Sequence, residues 1–370
     1  MLDLLILQPT PFCNINCDYC YLPNRLSNNK MSLDLIHHIF CNLFESHLVA
    51  SRLSVIWHAG EPLVLPVSYY QAAFKTIQNL NLNHCHISHS IQTNGTLINQ
   101  EWCDLIREHN LNIGVSLDGP AFIHDAHRKT RNGKGTHATA MQGIALLQQN
   151  GIDFHVIAVL TRQSLHFPDE IFDFFIRHGI RRIGFNIEEI EGANATSSLS
   201  GQGMDEQYVR FMERLYTLAQ PLKHELSIRE FEEAERQILS GVNIGRSYQS
   251  TPYKIISINC HGEFSTFSPE LLGLESSVYG DFILGNIHHT TFAAGLASAK
   301  FRTMNRHIEA GIERCKATCE YFDLCGGGAP ANKYFENGSF DSTETMYCRY
   351  TIQTPVNLVL SELEKRLQRC

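Results

Sequence analysis

The chain has 370 residues, a formal net charge of −8 and 43% hydrophobic residues. An acidic chain without a Lys/Arg-rich run argues against a nucleic-acid-binding protein, and no apolar run approaches the ~20 residues that span a bilayer. No export signal is evident. The twelve cysteines are therefore expected to serve as metal ligands in a cytoplasmic protein rather than to form disulfides.

Short apolar runs rich in strand-forming residues predict six strands, at 4–9, 54–59, 87–94, 112–118, 154–161 and 182–188. Stretches with helical patterns follow them, at 32–48, 66–80, 97–110, 136–150, 168–178 and 205–219. Near-continuous apolar strands between helices indicate a parallel sheet that is buried on both faces. Six such units predict an α/β fold, a partial (β/α)6 barrel whose chemistry lies at the C-terminal ends of the strands.

A cysteine-rich loop follows the first predicted strand. Cys13, Cys17 and Cys20 have the spacing C-x3-C-x2-C, and three thiolates on one short loop suit a soft metal centre. A structural 4Fe–4S cube takes four thiolates, so three would leave one iron open. A zinc site, which usually has four ligands, and scattered buried thiols are the alternatives.

This loop resembles the cluster motif of the radical S-adenosylmethionine (SAM) enzymes, with Tyr19 and Tyr21 flanking the last cysteine as that motif requires. The resemblance implies that Cys13, Cys17 and Cys20 hold a 4Fe–4S cluster whose open iron chelates SAM. It also implies that Tyr19 lies at the cofactor. Such enzymes cleave SAM to methionine and a 5′-deoxyadenosyl radical.

Two more motifs fall at the ends of the second and third predicted strands. The run W-H-A-G-E-P at 57–62 resembles the family's G-G-E-P motif, so Gly60 and Glu61 are expected to bind the methionine amino group. Ala59 replaces the first glycine and still allows a close backbone approach. For Asn94, contact with the cofactor and a capped turn into the next helix both stay open.

Three further SAM contacts are expected by resemblance. Ser116 would contact the ribose or methionine part, and Ile187 would offer an apolar backbone contact to adenine. Arg128 would bind the SAM carboxylate, because a guanidinium fork matches a carboxylate. Arg131 is the alternative for that role.

The C-terminal third carries a second set of cysteines. We expect a barrel domain at 1–235, a linker at 236–252 and a cysteine-rich α+β domain at 253–370 with a C-terminal helix. The run L-G-N-I at 284–287 resembles an element of the SPASM domains of radical SAM peptide maturases. Cys315, Cys319, Cys325 and Cys348 could hold a complete auxiliary 4Fe–4S cluster, with a structural zinc as the rival.

Departures from the SPASM pattern predict one auxiliary cluster rather than two. Phe267 and Ala329 stand where further ligands are expected, and Cys260 is not at a matching position. The remaining cysteines have no metal spacing and are expected to be core or surface thiols: Cys41, Cys85, Cys103 and Cys370.

Within this family the chain resembles cyclophane-forming maturases of glycine-rich-repeat precursor peptides, through the runs 57–63, 265–271 and 325–333. The resemblance implies a bond between an aromatic ring and the Cβ of a residue two positions further along a ribosomal peptide. The auxiliary cluster would accept an electron, and Glu270 or Asp281 could accept the proton, although either could be an ordinary loop carboxylate. A donor such as flavodoxin or ferredoxin would supply electrons.

Two alternatives are weighed. A sulfatase-maturating, formylglycine-forming enzyme is disfavoured because one auxiliary cluster and the familiar aspartate base are missing. A non-catalytic iron–sulfur electron carrier is disfavoured because it would not need the SAM-binding elements. Since the predicted barrel starts at the first residue, we expect the peptide to be captured by the groove, by pairing with an exposed strand, or by a separate protein.

Overall fold

The structure is a computed structural model that describes residues 1–46 and 48–368. Its strands are β1 (Leu2–Leu7), β2 (Ile15–Cys17), β3 (Val49–Trp57), β4 (His86–Thr93), β5 (Asn112–Ser116), β6 (Arg128–Thr130), β7 (Phe154–Leu160), β8 (Arg182–Ile187), β9 (Ser227–Ile228), β10 (Ile255–Ile258), β11 (Glu263–Thr266), β12 (Glu275–Ser276), β13 (Gly280–Asp281) and β14 (Gly285–Asn286).

Helices alternate with the strands in the first part of the chain and dominate the last part. They are α1 (Leu33–Glu45), α2 (Val67–Leu80), α3 (Gln100–His109), α4 (Ala121–His127), α5 (His137–Gln149), α6 (Pro168–Arg177), α7 (Met204–Ala219), α8 (Arg229–Ser240), α9 (Phe292–Leu296), α10 (Ala299–Thr318), α11 (Phe322–Cys325), α12 (Pro330–Asn337), α13 (Met346–Cys348) and α14 (Thr354–Gln368). In the described residues, no helix is both long and apolar enough to cross a membrane.

One sheet organises the fold, with the strand order β14-β11-β10-β1-β3-β4-β5-β7-β8-β9. The strands from β10 to β9 in that order pair in parallel, as βα units require, and β11 and β14 add antiparallel pairs at one edge. The predicted α/β fold with a partial parallel barrel is therefore confirmed.

The helices pack on this sheet through apolar stripes. In α1, Ser32 caps the first turn by accepting a hydrogen bond from the Leu35 backbone N–H. The buried side chains of α1 recur every three or four residues, which places them on one face of the helix. In β3, Trp57 is fully buried and packs edge-on against Tyr70 of α2. The apolar faces of the helices are thus buried against apolar side chains of the sheet.

The six predicted strands are present as β1, β3, β4, β5, β7 and β8, and each ends one or two residues earlier than predicted. The residues beyond these ends leave the sheet for loops. Ala59, which the prediction placed in a strand, has a φ of 69° and so lies in the left-handed region that extended strands do not use. Each predicted strand thus ran one or two residues too far into the loop that follows it.

The sheet crosses the predicted domain boundary. β10 pairs in parallel with β1, with Leu4 opposite Ile255 and Leu7 opposite Ile258. Lys254 also forms an ion pair with Asp3 at 2.6 Å. The helix α8 extends to Ser240, into the predicted linker. The C-terminal region thus extends the sheet beyond β1, the strand that precedes the cysteine loop. The domain division itself stays a prediction.

Candidate active site

The three-cysteine loop is held by backbone contacts on several sides. Cys17 lies in β2, which pairs with β6 so that Cys17 is opposite Arg128. Arg25 Nη1 donates to the Cys17 carbonyl at 2.9 Å, and Arg131 Nη2 donates to the Cys13 carbonyl at 2.6 Å. Because arginine donors cover these carbonyls, the loop is fixed by contacts outside its own sequence.

Of the three cysteines of this loop, Cys17 is buried, and Cys13 and Cys20 are half-buried. Burial raises the pKa of Cys13 to about 12, and the charges of Glu61, Cys17 and Cys20 raise it further. Burial also raises the pKa of Cys17 to about 11, against the opposing charge of Arg128. Such thiols stay protonated unless a positive centre stabilises the thiolates. An iron–sulfur cluster is such a centre, so the loop fits the group that its spacing predicts.

The turn at Ala59–Gly60 packs against the backbone that leads into Cys13. Gly60 has a φ of 62°, and a Cβ there would lie 2.3 Å from the Thr10 carbonyl oxygen and 2.6 Å from that of Phe12. The Glu61 N–H donates to the same Phe12 carbonyl at 2.7 Å. Only glycine allows this approach of two backbones.

The Glu61 carboxylate joins the ends of β3 and β4. It accepts hydrogen bonds from Thr93 Oγ1 at 2.6 Å, from the Asn94 N–H at 2.8 Å and from the Leu63 N–H at 3.0 Å. Burial raises the pKa of Glu61 to about 7, although these hydrogen bonds oppose the rise. With the side chain engaged in this way, the predicted contact of Glu61 with SAM stays a prediction.

Asn94 caps its turn and also contacts the cysteine loop. Its Oδ1 accepts from the Thr96 N–H at 3.0 Å. Its Nδ2 donates to Asn14 Oδ1 at 2.8 Å and lies 3.8 Å from Cys13 Sγ. The turn that sequence allowed as an alternative is thus present, and it places the amide beside a predicted cluster ligand.

Ser116 and Ile187 lie where the barrel chemistry was expected, at the C-terminal ends of β5 and β8. Ser116 Oγ accepts a hydrogen bond from Gln92 Nε2 at 3.0 Å. Ile187 is 2% exposed and lies opposite Leu160 of β7. Their contacts with SAM stay predictions.

Arg128 is paired inside the protein with a residue that the sequence analysis did not select. Its Nε donates to Asp118 Oδ2 at 2.9 Å and its Nη2 donates to Asp118 Oδ1 at 3.1 Å. Asp118 also accepts from the Tyr19 hydroxyl at 2.5 Å, and the guanidinium lies 5.3 Å from the Tyr19 ring centroid. Burial alone would raise the pKa of Asp118, but Arg128 holds it below its usual range. The fork expected to bind the SAM carboxylate is thus occupied by Asp118.

The third guanidinium nitrogen of Arg128 points elsewhere. Nη1 lies 3.9 Å from Cys17 Sγ. Arg131, the alternative for the carboxylate, is exposed and uses its donors on backbone carbonyls. The role of Arg128 toward SAM stays a prediction. Asp118 could have been selected from the sequence as a site residue, because it lies just after β5, at the C-terminal end of a barrel strand, where active sites of such barrels lie.

The second cysteine set is brought together from three helices. Cys315 lies in α10, Cys319 follows that helix, Cys325 ends α11 and Cys348 ends α13. All four line one cavity of about 460 Å³. Gly326 lets the backbone turn there, since a Cβ would lie 2.4 Å from the backbone of the segment 246–247.

This cavity fits a group that carries negative charge on its sulfurs. Burial raises the pKa of Cys348 to about 12, and the nearby Cys325 and Cys319 raise it further. Lys333 is 4% exposed, and its Nζ lies 3.2 Å from Cys315 Sγ. The volume far exceeds the ~30 Å³ of one water molecule. In the described residues, no group of three His, Cys, Asp or Glu side chains is arranged so that it could hold a single metal ion.

The two proposed bases have different surroundings. Asp281, in β13, forms an ion pair with Lys300 and accepts from the Ile283 N–H at 3.1 Å. Glu270 lies in a single helical turn, Pro269–Leu271, and burial raises its pKa to about 7. After burial, the charge of Glu270 is the largest influence that raises the pKa of Tyr21. The charge of Glu270 therefore acts on Tyr21, which flanks Cys20, whereas Asp281 is paired with Lys300.

Two more carboxylates accompany Glu270. Burial raises the pKa of Glu189 to about 8, and the pKa of Glu191 is also raised, first by burial and then by Glu189 and Glu270. Asn332 donates to Glu189 at 2.6 Å from the C-terminal region. The sequence analysis missed both residues, although they follow β8 directly in an acidic stretch.

Every cysteine that the structure describes is a free thiol. Cys85 and Cys103 are buried in the core, as predicted for thiols without metal spacing, and Cys260 is also buried. Cys41 is half-buried on α1 beside His37. The prediction for Cys370 lies outside the described residues.

The chain is a parallel α/β barrel protein with a three-cysteine loop at the mouth of the barrel. Residues 7–175 match the family model of the radical SAM superfamily. The uncharacterized protein sll1766 of Synechocystis sp. is 46% identical over 369 residues, which cover 99% of this chain and 93% of that protein. The chain thus carries a radical SAM domain.

More distant relatives have named activities. A serine-type anaerobic sulfatase-maturating enzyme of Bacteroides thetaiotaomicron is 27% identical over 87% of this chain and 81% of its own length. A solved structure, native anSMEcpe with bound AdoMet and Cp18Cys peptide, has a TM-score of 0.80 and 21% identity, and the match covers 100% of this chain and 99% of that one.

Streptococcus suis SuiB bound to the precursor peptide SuiA is a second structural neighbour. It has a TM-score of 0.62 and 16% identity, over 94% of this chain and 76% of that one. At these identities the likeness concerns the fold.

Proposed function

We propose that this chain modifies a peptide by radical SAM chemistry, joining an aromatic ring to the Cβ of another residue in a ribosomally made precursor. One observation carries the proposal: a three-cysteine loop at the barrel mouth and a four-cysteine cavity occur in one chain, both beside buried cations. The relatives support a peptide substrate, because anSMEcpe and SuiB were solved with peptides.

Cys13, Cys17 and Cys20 would hold the SAM-binding cluster, which when reduced supplies the electron that cleaves SAM to methionine and a 5′-deoxyadenosyl radical. The Gly60–Glu61 turn would bring its backbone to the methionine part, since it already packs against the entry to the cysteine loop. Ser116 and Ile187, at the ends of β5 and β8, would contact the rest of SAM. An enclosed site keeps water from the reactive carbon.

Closing the crosslink forms one carbon–carbon bond and removes two hydrogens from the peptide. One leaves Cβ as a hydrogen atom, and the ring then loses one electron and one proton. Cys315, Cys319, Cys325 and Cys348 would hold the auxiliary cluster that supplies the electron acceptor. A partner such as flavodoxin or ferredoxin would deliver the electron that starts each cycle.

Glu270 is the proposed proton acceptor. A carboxyl group with a pKa of about 7 is partly ionised at neutral pH and holds the proton that it receives. The charge of Glu270 in turn raises the pKa of the neighbouring Glu189 and Glu191, because like charges oppose ionisation. Asp281 is a weaker candidate, because Lys300 stabilises its ionised form.

Coexpression with a precursor peptide encoded beside this protein, followed by mass spectrometry, tests the proposal. The expected product is lighter by two hydrogens, with a new bond between a ring and a Cβ. A formylglycine in place of a Cys or Ser would support the sulfatase-type alternative, and failure of the reduced protein to cleave SAM would support the electron carrier.

Cys319→Ala tests the auxiliary site separately. If that site serves electron transfer, the variant should stay soluble and cleave SAM but form no crosslink. Cys41→Ala is the matched control, because it removes another half-buried cysteine and should crosslink normally. Full crosslinking by a Cys319→Ala protein that has lost the auxiliary iron would contradict the electron-acceptor role.

A further inference from the structure

Each cysteine set has one buried cation in contact with one of its sulfurs. Beside the first set, Arg128 is 7% exposed, with Nη1 3.9 Å from Cys17 Sγ. Beside the second, Lys333 is 4% exposed, with Nζ 3.2 Å from Cys315 Sγ. The two cations come from different elements, β6 and α12.

The two cations differ in how their charge is balanced. Both oxygens of Asp118 accept hydrogen bonds from Arg128, so the pair is close to neutral. Besides Cys315 Sγ, the only acceptor for Lys333 in the described residues is the Gly311 carbonyl, at 3.2 Å. No carboxylate of the described residues lies within 4.0 Å of its Nζ.

An unbalanced buried charge acts strongly on a neighbouring redox centre. Coulomb interactions are larger in the protein interior than in water, because the effective dielectric constant is lower. Net charge and hydrogen bonds to the sulfurs are among the factors that set the potential of an iron–sulfur cluster. A cation that donates to a thiolate stabilises the reduced cluster and so raises its potential.

We propose that Lys333 is a positioning residue that raises the potential of the auxiliary cluster, while Asp118 cancels the same effect of Arg128 at the SAM-binding cluster. Arg128 would then add little to the potential of the SAM-binding cluster, whereas Lys333 would make the auxiliary cluster the better electron acceptor. The one electron that leaves the crosslinked ring would thus have a site of higher potential to enter. This inference rests on the proposed function in one respect: both clusters must be bound.

Redox titration of the reconstituted protein, followed by electron paramagnetic resonance, tests the assignment. Lys333→Met should shift the midpoint potential of the auxiliary cluster in the negative direction and leave the SAM-binding cluster unchanged. Lys333→Arg, which keeps the charge, should restore most of the wild-type potential. Lys300→Met is the matched control, because Lys300 is paired with Asp281 and should affect neither cluster.

Asp118→Asn tests the other half of the inference. It leaves Arg128 unbalanced beside Cys17 and should shift the SAM-binding cluster in the positive direction, with the auxiliary cluster unchanged. If Lys333→Met does not assemble the auxiliary cluster, Lys333→Gln, which keeps a donor but no charge, is measured instead.

If Lys333→Met or Lys333→Gln binds the auxiliary cluster and the midpoint potential of that cluster equals the wild-type value, the role of Lys333 is overturned. Loss of the auxiliary cluster from both neutral variants would show that Lys333 acts structurally, and would also overturn it. A wild-type SAM-cluster potential in Asp118→Asn would overturn the role of Asp118. The potentials are measured without peptide, so a failure to crosslink any peptide would refute the proposed function and leave this inference standing.

Discussion

Replacing Gly60 by alanine tests whether the turn after β3 positions the cysteine loop. The added Cβ would lie 2.3 Å from the Thr10 carbonyl oxygen, 2.6 Å from that of Phe12 and 2.9 Å from the Pro11 carbonyl carbon. All three atoms belong to the backbone just before Cys13. The main chain must therefore move, because no flexible side chain can yield.

The expected loss of stability has two parts. An alanine at a φ of 62° costs about 1–2 kcal/mol, because its Cβ approaches its own carbonyl. Displacing close-packed atoms adds roughly 1–3 kcal/mol. Gly133→Ala isolates the first part, since Gly133 has a φ of 77° but no atom within 4 Å of the added Cβ. Gly60→Ala should therefore cost roughly 1–3 kcal/mol more than Gly133→Ala.

Urea denaturation of the reconstituted proteins under anaerobic conditions measures this difference. Tryptophan fluorescence is a suitable signal, because Trp57 ends β3 close to the turn and is fully buried. Iron analysis of the same samples should show that Gly60→Ala binds less iron than Gly133→Ala, since the loop before Cys13 has moved. Equal losses of stability in the two variants, with full iron content in both, would refute the packing argument.

Three further predictions follow from the site. Changing Cys13, Cys17 and Cys20 together to alanine should remove about four of about eight irons per chain and abolish 5′-deoxyadenosine formation; iron analysis and chromatography check this, and retained SAM cleavage would contradict it. Ala59→Gly should change the free energy of unfolding by less than about 1 kcal/mol, because relief at a φ of 69° is offset by a lost buried methyl and greater chain entropy; urea denaturation measures it. Crosslinking should rise with pH through about 7, because the Glu270 carboxyl is protonated below that value; product yields at a series of pH values should lose this rise in Glu270→Gln while SAM cleavage continues.

The amino-acid sequence alone was enough to predict the barrel and the cysteine motifs. The period of apolar residues and the helix-capping signals are local, so the six barrel strands and their parallel direction could be predicted without a structure. The spacing of Cys13, Cys17 and Cys20 is local as well, because one short loop carries all three ligands. Strand ends were less certain, since loop residues such as Ala59 are also apolar.

Only the tertiary structure decided which groups face each other. The pairing of β2 with β6 places Arg128 opposite Cys17. There the guanidinium of Arg128 donates to Asp118, which follows a different strand. Lys333 of α12 meets Cys315 of α10, and no periodicity in the sequence predicts that contact. In the same way, folding brings Glu270 close enough to Glu189, which follows β8, for its charge to raise the pKa of that residue. Charged groups interact over a few ångströms of space, so chain folding, and not distance along the sequence, determines their partners.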